Sequence, residues 1–192
     1  MKISFKGIAL IKKLEGCRLT VYDDQAGLPT IGIGHLLTRT ENVSGKIWIG
    51  GEPYIIYNGL TEELCIELLK QDLQVPVDTV NQAVQVPLNQ NQFDALVSFV
   101  FNIGCTRFRN STVLQVINAG RLDRVPKEMR RWVYVNDKVS KGLQNRREAE
   151  IRLWNTPVEN ETPVDSMLPI DFIDPPEPHR PWYKRLFGMR YD

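Results

Sequence analysis

Apolar residues recur at helical spacing from the start of the chain. Phe5, Ile8, Leu10, Ile11 and Leu14 follow Ser4, whose hydroxyl can accept from the free amides of a first turn, and the run stops at Gly16. This predicts a helix over about 4–15, ending at Glu15. From Leu19 the texture changes to LTVYDD, QAGLP and TIGIGH, which reads as strand, turn and strand with Gly27 and Pro29 as punctuation. A second hairpin is expected in KIWIGGEPYIIY, where Gly50-Gly51 separates two apolar runs. Helical patterns then dominate: TEELCIELLKQDL behind Thr61, NQNQFDALVSFVFNIG ending at Gly104, STVLQVINAG between Ser111 and Gly120, and further segments over about 122–135 and 142–154.

One helix, a short antiparallel sheet and then a set of helices make an α+β arrangement, with a cleft between a β-rich and a helical lobe as the natural ligand site. The patterning divides the chain into a folded domain over 1–156 and a tail over 157–192. That tail is rich in Pro and acidic groups and lacks lasting periodicity, which suits a linker or docking strap. Its last part, HRPWYKRLFGMRY, mixes basic and aromatic residues and reads as a short amphipathic segment that packs on the body or on another protein; contact with a membrane surface or with nucleic acid is the other possible use.

Composition adds exclusions more than assignments. With 192 residues, 42% of them hydrophobic and 24% charged, the chain sits among ordinary globular proteins. The net charge of +1 gives no overall reason to bind nucleic acid, although residues 158–192 carry −3 and the remainder therefore +4. No stretch approaches the ~20 apolar residues that cross a bilayer, so stable membrane insertion is not expected. The start, MKISFKGIALIKKLEG, is too interrupted by Lys for a secretory signal, and synthesis in a cytoplasm is expected. Cys17, Cys65 and Cys105 are widely spaced and odd in number, which favours buried free thiols over a disulfide scaffold or zinc site.

Glu15 at a helix end, Asp24 in a hairpin turn and Thr30 at the start of the returning strand are each commonplace alone. Their setting, LEGCRLTVYDDQAGLPTIGIGHLLT, closely resembles the catalytic segment of the phage T4-type lysozymes: Glu, eight residues, Asp or Cys, five residues, Thr, then IGxGH. The pattern falls on Glu15, Asp24, Thr30, Ile31, Gly32, Gly34 and His35 without a gap. LTEELCIELLKQDL, PLNQNQFDALVSFVFNIGCTRFRNSTVLQVINAG and RRWVYVNDKVSKGLQNRREAEIRLW resemble the lambdoid-type endolysin branch of the same family. Together these stretches span about 5–156, leaving the tail uncovered. GIGHLLT in place of the common GYGHT, and a longer hairpin over 44–58, are departures that leave the three positions intact.

The resemblance implies a lysozyme-like fold and a muramidase that cleaves the β-1,4 bond between N-acetylmuramic acid and N-acetylglucosamine in peptidoglycan glycan strands, with no metal or organic cofactor. Such cleavage requires an acid for the departing oxygen and a carboxylate near the opposite face of an oxocarbenium-like transition state. Glu15 is then the general acid, Asp24 the base that activates water, and Thr30 the water's second partner, with inversion at the sugar. A general acid favours apolar surroundings, whereas Arg146, which resembles the Arg that reaches the catalytic Glu in this family, opposes that bias. The resemblance also implies a structural pair between His35 and Asp72. Gly32 and Gly34 either admit a polysaccharide to the hairpin backbone or serve a tight strand, and Asn102 either contacts an N-acetyl group or caps its helix. Arg146, Arg147, Glu148, Glu150 and Arg152 read as a salt-bridged solvent face, not as an RNA-binding patch. Release through a holin lesion or carriage on a virion, with residues 158–192 docked on a phage tail protein, are the two routes to the wall. The alternative class is a tail structural or wall-binding protein with this fold and little turnover.

Overall fold

In a computed structural model of the protein, residues 1–24, 27–135 and 137–158 are described. The expected strap and its basic aromatic end therefore lie outside the described residues from 159 onward. The body opens with α1 (Phe5–Glu15), whose first-turn amides of Lys6 and Gly7 donate to the Ser4 hydroxyl and whose end is closed by Gly16. Three antiparallel strands follow, β1 (Arg18–Asp23), β2 (Pro29–Gly32) and β3 (His35–Leu36), in the order β1-β2-β3. Their register pairs Arg18 with Gly32, Tyr22 with Thr30 and Ile31 with His35.

A short helix, α2 (Arg39–Ser44), is held by a capping box in which Thr38 and Glu41 satisfy each other's backbone amides. It leads into the hairpin β4 (Lys46–Ile49) and β5 (Glu52–Ile55). Gly50 and Gly51 both take positive φ (61° and 90°), as a two-residue connection of this hand requires. The hairpin is pinned from outside its own sheet: Gln71 accepts from the Gly50 amide at 2.6 Å and donates to the Trp48 carbonyl at 3.0 Å.

Gln71 lies on α3 (Glu62–Asp72), which is followed by α4 (Gln74–Ala83), α5 (Gln90–Ile103), α6 (Cys105–Arg109) and α7 (Thr112–Asn118). α5 is the central post, buried on most of its surface and packed by α1, α4 and α9 (Lys141–Asn155). Phe99 on α5 meets Phe108 and Trp132 edge-on, with ring centroids 6.5 and 5.8 Å away.

The continuous helix expected over about 122–135 is not present. A 3-10 turn over Leu122–Arg124 and a single-turn helix α8 (Val125–Met129) are followed by a small hairpin, β6 (Tyr134–Val135) and β7 (Lys138–Val139). Pro126 is tolerated only in the opening turn of α8, and Val133-Tyr134-Val135 favours extended backbone, with Asp137 turning back at a φ of 61°. Short helices α2, α4 and α6 were also outside the pattern-based expectation. No helix among the described residues is long and apolar enough to cross a membrane.

Candidate active site

Glu15 is the last residue of α1, where Gly16 turns the chain toward β1. Its side chain is 24% exposed, and its Oε1 accepts from Arg146 Nη1 at 2.6 Å. On its other side stands the turn between β2 and β3. A Cβ built on Gly34 would sit 3.5 Å from Glu15 Oε2, and Gly34 has a φ of 72°, so the turn needs glycine both for its hand and for the closeness of the carboxylate. Gly32, also at positive φ, faces the opposite way and packs against Cys65 and Leu68 of α3. The two glycines therefore differ in use: Gly34 borders the acid and Gly32 fits the strand to the helix.

Asp24 and Thr30 are joined through one intervening residue. Leu28 donates its amide to Asp24 Oδ1 at 2.9 Å, while its carbonyl accepts from the Asp24 amide at 2.9 Å and from the Thr30 hydroxyl at 2.9 Å. The hairpin thus fixes the carboxylate from backbone groups, and Thr30, only 4% exposed, retains oxygen lone pairs that can accept.

The third wall comes from α9, and here the expected solvent face is wrong. Glu148 and Arg152 are exposed, but Arg146, Arg147 and Glu150 are buried, the last two completely. Glu150 receives Arg146 Nε at 3.1 Å and the Ser98 hydroxyl at 2.8 Å, and lies 3.2 Å from Arg147 Nη1. Arg147 lays its guanidinium 4.8 Å from the centre of the Phe99 ring and donates to Asn102 Oδ1. One buried carboxylate therefore sits behind two guanidiniums, one reaching Glu15 and the other Asn102. With the Asn102 oxygen engaged, its amide N–H groups are what the exposed side chain can offer outward. The i,i+4 and i,i+3 spacing of these charges was visible in the sequence; their burial was not, because Ser98 and Phe99, which receive them, lie 48 residues away on α5.

The family model for phage lysozyme matches residues 12–150, a span that holds every residue of this site. The endolysin of Salmonella phage P22 is 47% identical over 118 residues, which is 62% of this chain and 74% of that protein. A solved mutant of P22 lysozyme superposes with a TM-score of 0.69 at 38% identity, covering 81% of this chain and 99% of the other. The muramidase domain of SpmX from Asticaccaulis excentricus gives 0.67 at 37% identity, with coverage of 81% and 99%.

The chain belongs to the phage lysozyme family. Membership makes it a glycoside hydrolase of the muramidase type, and the lambdoid resemblance is met by the P22 relatives. An endolysin that cuts peptidoglycan glycan strands, not a structural protein with an idle site, is the function that goes with the family.

In this member of the phage lysozyme family His35, on β3, is held by acids of α3 and α2. Its Nδ1 is 2.9 and 3.0 Å from the Asp72 oxygens, and its Nε2 is 3.4 Å from Glu41 Oε2. Burial opposes a charge on His35, but the bond to Asp72 and the two carboxylates outweigh it and hold the imidazole above its ordinary value. A raised folded value means the charge contributes stability fully below the unfolded pKa of about 6.5, and that this stability is lost as pH rises through the folded value. Asp72→Asn is accordingly expected to cost about 1–2 kcal/mol near pH 6 and much less at alkaline pH, read as the pH dependence of the melting temperature. An equal loss at both ends of that range would contradict the charged pair.

Proposed function

We propose that hydrolysis runs with inversion on Glu15 and Asp24, with Thr30 as helper. The observation that carries this reading is Glu15 clamped by the buried Arg146 and set against the Gly34 turn. Glu15 donates its proton to the glycosidic oxygen as the bond to the anomeric carbon breaks. Asp24 takes a proton from water as that water adds to the opposite face, and the Thr30 hydroxyl oxygen gives the water a second acceptor. Arg146 fixes the direction of Glu15 and gains an electrostatic partner as the carboxylate forms. The Gly34 backbone and the Asn102 amide offer donors and acceptors to the sugar and its N-acetyl group, with Gly32 seating that turn against α3. His35 and Asp72 keep the hairpin seated on α3.

The folded domain, 1–156, is the catalytic unit in this proposal, and 157–192 is a separate strap for docking on a virion or tail protein. The protein works at the cell wall after leaving the cytoplasm, by a holin lesion or on an infecting particle. The test is the product of a brief digestion of purified peptidoglycan. New reducing muramic ends that first appear as the α anomer are expected from inversion of a β linkage. Ends that first appear as β would show retention, and anhydro-muramic ends would show transglycosylation; either overturns the proposed roles of Asp24 and water.

A further inference from the structure

Two thiols that the chemistry above does not use meet at the junction of the lobes. Cys17 stands just past the Gly16 turn, and Cys65 is on the buried side of α3. The two are neighbours, close enough for the Cys17 sulfur to raise the Cys65 thiol, and both pack on the same apolar core. Neighbouring contacts bracket the same meeting. Arg18, the next residue after Cys17, pairs with Gly32, and a Cβ on Gly32 would lie 3.6 Å from the Cys65 sulfur. One turn back along each helix, Lys12 and Glu62 form an ion pair of 2.6 Å.

The position of the pair in the chain is informative. Everything in β1 to β5 and α2 lies between the two cysteines, so Cys17 and Cys65 stand where the β-rich excursion leaves α1 and where it rejoins α3. Across the same neck the Leu60 amide donates to the Leu19 carbonyl at 2.7 Å, beside the salt bridge above.

We infer that Cys17 and Cys65 form an intramolecular disulfide once the protein meets the oxidising cell envelope, stapling the β-rich lobe at its neck. This goes beyond the hydrolase reading and rests on it only for the exposure to the cell envelope. A cytoplasm keeps both as thiols, whereas the bacterial periplasm supplies protein disulfides that act as oxidants. Cys17, half-buried, is the member an external disulfide can reach. It attacks one sulfur of that disulfide, losing its proton to solvent and releasing one thiol. Cys65 then attacks the Cys17 sulfur of the mixed disulfide, loses its own proton and releases the second thiol. In balance, two protein thiols are oxidised and one external disulfide is reduced to two thiols. Burial and the neighbouring sulfur push the Cys65 thiol up to about 12, so the second step speeds up as pH rises. Closing a loop of roughly 50 residues restricts the unfolded chain and also holds the lobe against local opening.

The experiment uses the full chain, reduced, folded and then incubated with oxidised glutathione before alkylation. A mass lower by two hydrogens, a single remaining alkylatable thiol at Cys105, and a cross-linked peptide joining Cys17 to Cys65 are expected. The oxidised form should melt roughly 5–10 °C higher than the reduced form, a gain absent from Cys17→Ser and kept by Cys105→Ser. Persistent glutathione adducts on Cys17 without closure, a cross-link that uses Cys105, or three free thiols in the folded chain would overturn the inference. The mass and peptide readouts use the parent protein, so they decide the matter even if Cys17→Ser folds poorly. Glycan cleavage assayed on both redox forms separates the two readings: a cross-linked protein that clears no cell wall leaves the disulfide in place and strikes only the catalytic one.

Discussion

Glu15→Gln is expected to lose clearing of outer-membrane-permeabilised cells by on the order of 10³-fold, at the level where a missing general acid is felt, while remaining folded. The amide keeps the shape of the side chain and can still accept from Arg146, but it has no proton to give to the leaving oxygen. The guanidinium is not orphaned by the change, because Arg146 Nε remains on Glu150 at 3.1 Å and Arg146 Nη2 still reaches the Ser98 carbonyl at 3.4 Å. The expected melting temperature is therefore within a few degrees of the parent's, and the loss falls on kcat. Parent-like clearing by this variant would remove Glu15 from the chemistry, and unfolding would make its role architectural.

The second large effect is on stability. Glu150→Ala should cost about 3–5 kcal/mol, because it leaves Arg146 and Arg147 buried beside each other with no acid between them. For a body of this size that corresponds to a fall of roughly 10 °C in melting temperature. The network is not a source of net stability in the ordinary sense. Burial pushes the Glu150 carboxyl up despite both guanidiniums, and burial brings Arg147 down to about 10 despite Glu150. Each ion is held at a disadvantage and is tolerated because the others are there. The double variant Glu150→Ala with Arg147→Met should accordingly recover part of the loss, since one orphaned charge is gone and the stem volume stays over Phe99. Urea titrations of the three proteins test this; additive losses would show that Glu150 and Arg147 are energetically independent.

These two variants also mark what was legible in the amino-acid sequence. Helix α1 and its cap, the Gly50-Gly51 hairpin and the helical character of the second half follow from periodicity and turn residues, which are local. The Glu15, Asp24, Thr30 spacing pointed to one segment, and its resemblance to the lysozymes extended over nearly all the helices. The solvent-face reading of RREAEIR failed because alternating charges look the same whether they face water or a buried serine and a phenylalanine ring supplied by another helix. The 122–135 segment failed for a different reason: its apolar residues suit a helix by spacing, while Pro126 and the Val-Tyr-Val run decide locally for a turn and a hairpin. Glu41 was not singled out in the sequence, and its place beside His35 depends on where the β2–β3 turn sets the imidazole.

The way Leu28 clasps both Asp24 and Thr30 has a consequence for how this enzyme can vary. The clasp uses main-chain atoms of Leu28, so another side chain at that position leaves all three bonds available. What it does not permit is a change in residue number between Asp24 and Leu28, because one insertion or deletion would put a different amide and carbonyl opposite the acid. The constraint on descendants of this chain is thus one of count between Asp24 and Leu28, with the side chain of Leu28 exchangeable and the length not.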